Sequence, residues 1–173
     1  AERMEALRGP AGRAQVAANL AQNLHGFELL PGAYAVAHLR LTQRLRQLDP
    51  VARPYAKIIL TDTLESPEGV ETQLALFGDA RILASEQNRA KRLKAQQKVT
   101  VVIGNPPYRR LAKDVKGRGA GGWIFEPFKR GRKRTASLFD DMLDVARQHT
   151  IFSHHASLYN LYVYFWRWAL WKA

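Results

Sequence analysis

The clearest hydrophobic period in the chain runs from 33 to 48. Tyr34, Ala37, His38, Leu41, Leu45 and Leu48 recur there at three- and four-residue intervals and mark one face of a helix. Asp49-Pro50 closes it. Upstream, an alanine-rich stretch from 13 to 24 with Val16, Leu20 and Leu24 at four-residue spacing predicts a second helix, after a lead-in over 1–12 broken by Gly9-Pro10 and read as irregular. Two short apolar segments, 26–30 stopped by Pro31 and 57–64, predict strands on either side of the 33–48 helix. A polar region from 68 to 98 with Leu74, Leu76, Ile82, Leu83 and Leu93 fits two helical pieces, the second over about 79–97.

That second piece leads into Val99-Thr-Val-Val-Ile-Gly-Asn-Pro-Pro-Tyr108. Four apolar β-branched residues in five, without alternation, predict a strand buried on both faces, as in a parallel sheet. Further on, 137–148 reads as a helix with Leu138, Met142, Leu143 and Val145 inward and Asp140, Asp141 and Asp144 outward. The aromatic segment 158–172 reads as a packed helix carrying Asn160, Tyr164, Arg167 and Trp171 on one stripe and burying Leu161, Phe165 and Trp168. Strands alternating with helices define an α/β class.

Composition narrows the setting. A chain of 173 residues with 46% hydrophobic content suits one globular domain over 1–173. Cysteine is absent, so there is no disulfide framework or thiolate metal site, and with no signal pattern over the first thirty residues a cytoplasmic setting is expected. No apolar run reaches bilayer length, and no membrane partner is expected.

The formal charge of +12 and pI near 10.4 point to a polyanion. Between 109 and 134 stand Arg109, Arg110, Lys113, Lys116, Arg118, Lys129, Arg130, Arg132, Lys133 and Arg134, against only Asp114 and Glu126. This basic loop segment follows directly on the tetrad, where a phosphate backbone would run if the tetrad held a base. A solvated charged loop is the alternative. Gly117-Arg-Gly-Ala-Gly-Gly122 within it does not follow a strand, so it is not a dinucleotide fingerprint. Trp123, Ile124, Phe125 and Phe128 fit either a small hydrophobic anchor, the preferred reading, or a surface for stacking unpaired bases. His149, His154 and His155 have no acidic or cysteine residue at persuasive ligand spacing, and no metal site is assigned.

The chemistry suggested by the tetrad concerns a planar amine. The exocyclic nitrogen of a nucleobase or an amide is a poor nucleophile because its lone pair is delocalised. If the side-chain carbonyl of Asn105 and the backbone carbonyl of Pro106 each accept one N–H, the nitrogen can become tetrahedral as it attacks, and the positive charge that develops is stabilised. Pro106 and Pro107 hold the preceding residues extended, which keeps those carbonyls displayed. Tyr108 supplies a flat face for the substrate.

An Asn-Pro-Pro-Tyr tetrad after an apolar strand resembles the catalytic motif of the amino-methyltransferases. Together with Gly26-Phe-Glu-Leu-Leu-Pro-Gly-Ala-Tyr-Ala-Val-Ala-His-Leu-Arg-Leu41 and Leu158-Tyr-Asn-Leu-Tyr-Val-Tyr-Phe-Trp-Arg-Trp-Ala-Leu-Trp-Lys172, it resembles the methyltransferase region of type ISP restriction-modification enzymes. The resemblance implies transfer of a methyl group from S-adenosylmethionine to N6 of adenine in double-stranded DNA, with Asn105, Pro106, Pro107 and Tyr108 as the catalytic group. It also implies helicase-like, nuclease and target-recognition domains in the same longer polypeptide. Glu28 matches the acidic position of the family's Gly-Phe-Glu segment, which implies contact with the donor's ribose; Asp62, at the end of the next strand, implies contact with its adenine ring. The fold implied is a partial Rossmann-like methyltransferase sheet of about three parallel strands with flanking helices, lacking the glycine-loop strand and the later strands of the family. By that expectation the segment alone is inactive. Two other readings stay open: the same tetrad acting on an RNA base or a protein glutamine amide, and a non-catalytic nucleic-acid-binding module in which the tetrad is only a turn.

Overall fold

The computed structural model describes residues 2–68, 79–108, 123–124, 137–148, 158 and 160–173. Its chain divides into two compact units. One comprises Ala1–Asp62 with Thr72–Ala90, the other Thr63–Glu71 with Lys91–Ala173. Among the described residues the class is mixed α/β, with five helices and a two-stranded parallel sheet. No described helix is long and apolar enough to cross a membrane.

The first unit opens with α1 (Glu2–Asn23), so the stretch over 2–12 is helical where an irregular lead-in is expected from its Gly-Pro pair. The pair acts as a joint. Gly9 adopts φ 62° and ψ −164°, a conformation that the missing Cβ permits, and Pro10 starts the next helical piece, where its lack of an N–H costs nothing.

The strand β1 (His25–Glu28) follows, then α2 (Pro31–Leu48) and β2 (Lys57–Leu60). The strands pair in parallel with His25 opposite Lys57 and Glu28 opposite Leu60. Parallel neighbours need a crossover, which α2 provides. Pro31 stands in the first turn of α2 and so both ends the strand and begins the helix. Leu45 and Leu48 are buried as the period predicts, whereas Leu41 is exposed and Thr42 takes its place inside. The hydroxyl oxygen of Thr42 accepts the N–H of Ala56 at 3.1 Å, fixing the approach to β2. The core of this unit joins Val16, Ala17 and Leu20 of α1 to Leu48, and Leu45 to Ala56 and Ile58, with Ala21 and Tyr34 at its margin.

The helix α3 (Asp79–Gln96) supplies Glu86, whose carboxylate accepts the N–H of Leu60 at 3.2 Å and lies 3.6 Å from Arg89. That N–H points away from β1, so a side chain covers part of the exposed sheet edge.

The third strand is not formed. Residues 101–108 have no regular structure; Val101 and Ile103 are 68% and 92% exposed. A β-branched apolar run favours extended backbone and burial, but a strand exists only through ladder bonds to a neighbour, and among the described residues these have none.

In the second unit, α4 (Asp140–Gln148) begins three residues later than its sequence pattern suggests. The Asp140 carboxylate accepts both the N–H and the hydroxyl of Ser137, at 2.9 and 2.8 Å, and so organises the turn before the helix. Phe139 and Leu143 face inward, while Met142 and Val145 are exposed. The chain ends in α5 (Leu161–Lys172), capped by the Asn160 side chain, which accepts the N–H of Tyr162 at 3.0 Å. Tyr164 and Trp168 are the buried residues of α5. Tyr164 therefore lies inside rather than on the polar stripe, against the ring of Phe139 at 6.1 Å. Arg167 ties α5 to α4 by donating to the Leu138 carbonyl at 2.7 Å and the Asp141 carboxylate at 2.9 Å. Trp123 is an anchor, as its composition suggests. It donates to the Leu64 carbonyl at 2.6 Å and meets Trp171 edge-on at 5.0 Å, next to fully buried Ile124.

Candidate functional site

Three groups of residues carry candidate chemistry. The ten basic residues Arg109, Arg110, Lys113, Lys116, Arg118, Lys129, Arg130, Arg132, Lys133 and Arg134, with His149, His154 and His155, lie outside the described residues. The acids Glu28 and Asp62 belong to the first compact unit and the tetrad to the second.

Glu28 and Asp62 come together at one edge of the sheet. Glu28 is the last residue of β1, and its carbonyl accepts the N–H of Thr61 at 2.8 Å, one residue beyond the end of β2. The chain leaves the ladder at Asp62, so both acids stand beyond the carboxyl ends of adjacent parallel strands, the edge at which open α/β sheets bind ligands. The Glu28 side chain has a local task as well. Its Oε1 accepts the N–H groups of Leu29 and Leu30 at 2.8 and 2.9 Å, which ties down the turn between β1 and α2. The N-cap of α2, Leu30, has no side-chain oxygen of its own, so Glu28 does that work from two residues upstream. With Oε1 held, Oε2 has no protein donor among the described residues, and its direction is fixed.

His25 at the other end of β1 is a third titratable group of this sheet. Its Nδ1 is buried with no hydrogen-bond partner among the described residues. Burial first, then the positive charges of Lys57 and Arg89, lower its pKa below the ordinary 6.5. Lys57 is held opposite it by donating to the Gln22 carbonyl at 2.9 Å, near the carboxyl end of α1. Because folding makes His25 harder to protonate, its contribution to stability is complete above pH 6.5 and is lost as the pH falls below that value. Urea midpoints should therefore fall between pH 7 and pH 5.5, and His25→Asn should flatten that slope. An unchanged slope in the variant would assign the acid sensitivity elsewhere.

The tetrad occupies an exposed loop. Asn105 and Pro107 are exposed, Pro106 is half-buried and Tyr108 is 79% exposed. Neither the Asn105 side chain nor the Pro106 carbonyl has a donor among the described residues. The Tyr108 ring is not alone. It stacks on Tyr162 of α5 with centroids 5.0 Å apart and planes 20° from parallel, and Tyr162 in turn meets Trp166 edge-on at 6.1 Å. Tyr162 and Trp166 are four residues apart on the side of α5 opposite Tyr164 and Trp168, and Trp166 is 55% exposed. Reading the segment as a helix with one buried stripe passes over Tyr162; the four-residue spacing of Tyr162 and Trp166 is the signal that could have found it.

Comparison with protein-family models, with curated proteins and with solved structures finds no match to this chain.

Proposed function

We propose that this chain is the catalytic and donor-binding segment of an S-adenosylmethionine-dependent DNA adenine-N6 methyltransferase within a restriction-modification polypeptide, built on part of a Rossmann-like sheet. The observation that carries the reading is the Asn-Pro-Pro-Tyr tetrad, displayed on an exposed loop with both of its amine-accepting oxygens unengaged among the described residues and its Tyr108 ring largely exposed. The parallel strand pair bridged by α2 is compatible with such a sheet, and a formal charge of +12 suits a DNA substrate.

Each residue then has a role. Glu28 holds the ribose hydroxyls through Oε2, while Oε1 keeps the carboxylate from rotating. Asp62 would hold the adenine end of the donor. S-adenosylmethionine supplies an electrophilic methyl carbon bound to a sulfonium. Asn105 and Pro106 would accept the two N6–H bonds of the target adenine, which localises the nitrogen lone pair, and Tyr108 would carry the base. A bound donor would supply a sulfonium methyl whose transfer to N6 breaks the C–S bond and leaves its electrons on sulfur, and the surplus N6 proton would pass to solvent.

The test uses the full-length polypeptide with methyl-labelled S-adenosylmethionine and DNA. Label recovered in N6-methyladenine is the expected result. Label in RNA or in glutamine, or in no product, overturns the DNA assignment. Glu28 allows a finer check. Glu28→Gln keeps an oxygen for Leu29 and Leu30, so the thermal midpoint should change little, while donor affinity should drop about 10-fold for one weakened charge-assisted hydrogen bond. Equal donor affinity in the two proteins would confine Glu28 to the turn.

A further inference from the structure

We propose that Tyr162 is a positioning residue of the site, which backs the Tyr108 ring so that an unpaired nucleobase stacks only on the face turned away from α5. The inference rests on the methyltransferase reading and adds to it a residue outside the tetrad.

Tyr108 lies in a stretch, 101–108, with no regular structure, and a ring on such a stretch samples several rotamers unless something holds it. What holds it is a second ring on a rigid element. Tyr162 sits in the first turn of α5, its N–H accepted by the Asn160 cap, while Arg167 secures the same helix to Leu138 and Asp141. Near-parallel rings 5.0 Å apart cover one face of Tyr108, and its 79% exposure leaves the other free. Trp166 braces the edge of Tyr162 from the next turn of the helix, 6.1 Å away.

A planar base can therefore stack on the face of Tyr108 that Tyr162 does not back. The order of rings becomes base, Tyr108, Tyr162. An unpaired base is the occupant favoured by the chain's +12 charge, since base stacking on aromatic rings accompanies phosphate attraction in single-strand binding. Tyr162 acts through Tyr108, so it matters only while the Tyr108 ring is present.

The experiment measures anisotropy of a labelled single-stranded adenine-containing oligonucleotide with the full-length polypeptide across a salt series. Tyr162→Ala should weaken binding about 10-fold, and Tyr162→Phe should bind within about two-fold of the starting protein, because the ring and not the hydroxyl does the stacking. In a Tyr108→Ala background, Tyr162→Ala should add almost nothing. The dependence of affinity on salt should keep its slope, since no phosphate contact is removed. General damage to the fold would change the slope and would add to the Tyr108→Ala defect, and either result overturns the proposal. Full affinity in Tyr162→Ala also overturns it. The methyltransferase reading is judged separately, by label transfer from the unsubstituted polypeptide: a protein with the expected Tyr162 dependence but no methyl transfer would discard the reaction and keep the stack.

Discussion

Replacing Asn105 by alanine is expected to lower the rate of methyl transfer by the full-length polypeptide about 100-fold or more, and to leave DNA affinity nearly unchanged. The first half follows from the electronic character of the target. An amine conjugated with a purine ring has no localised lone pair to offer, and a methyltransferase must favour the tetrahedral nitrogen over the planar one. In the proposed reaction, two acceptors at the Asn105 side chain and the Pro106 carbonyl would do so by binding N–H bonds that bend away from the ring plane as charge builds up. Deleting one preorganised partner of developing charge costs about 10²- to 10³-fold in comparable sites. The second half follows from exposure. Asn105 is exposed and has no hydrogen bond among the described residues, so its loss breaks none of those that hold the described fold. Single-turnover kinetics at saturating DNA would isolate the chemical step. Near-normal turnover in Asn105→Ala would end the amine-activation role.

The second large effect is expected at Tyr108, where ring and hydroxyl can be separated. An adenine inside a duplex cannot reach a loop, so it must swing out, at a cost of about a few kcal/mol, and lie against something flat. Stacking on an aromatic ring contributes roughly 1 to 3 kcal/mol per base. Tyr108→Phe keeps the ring and its stack on Tyr162, and should retain most methyl transfer. Tyr108→Ala should weaken productive binding about 10- to 100-fold. A 2-aminopurine at the target position would report the flipped state directly. If Tyr108→Phe proves as damaging as Tyr108→Ala, the hydroxyl is the working group and stacking is abandoned.

The helices were legible where one periodic face dominated. The pattern over 33–48 corresponds closely to Pro31–Leu48 because a stripe of apolar residues stands out from polar neighbours, whereas the stretch over about 79–97 matches Asp79–Gln96 in its bounds and not in its inward face, since Ile82 and Leu83 are exposed and Asn88 and Lys94 are buried. In α5 the pattern fails to choose a face. Aromatic residues stand on every side of that helix, so periodicity alone could not place Tyr164 inside and Tyr162 outside; tertiary contact with Phe139 decides the one, and the stack on Tyr108 the other. The run over 99–103 shows a different limit. Side-chain shape states a preference for extended backbone, but a ladder bond depends on what lies next to it, which no local pattern contains. Glu28 was legible as an acid at a strand end, yet its grip on Leu29 and Leu30 depends on backbone direction in a turn that the sequence marks only with Pro31.

The same run bears on how the protein behaves at high concentration. Val101, Val102 and Ile103 put β-branched side chains into water at 68%, 40% and 92% exposure, on a backbone whose N–H and C=O groups have no ladder among the described residues. A second copy of the run can supply that ladder, in register, and bury the same side chains against their own kind. Self-association through this stretch is expected to raise the sedimenting mass as the concentration rises, and a single charge in place of Ile103, the most exposed of the three, should oppose it.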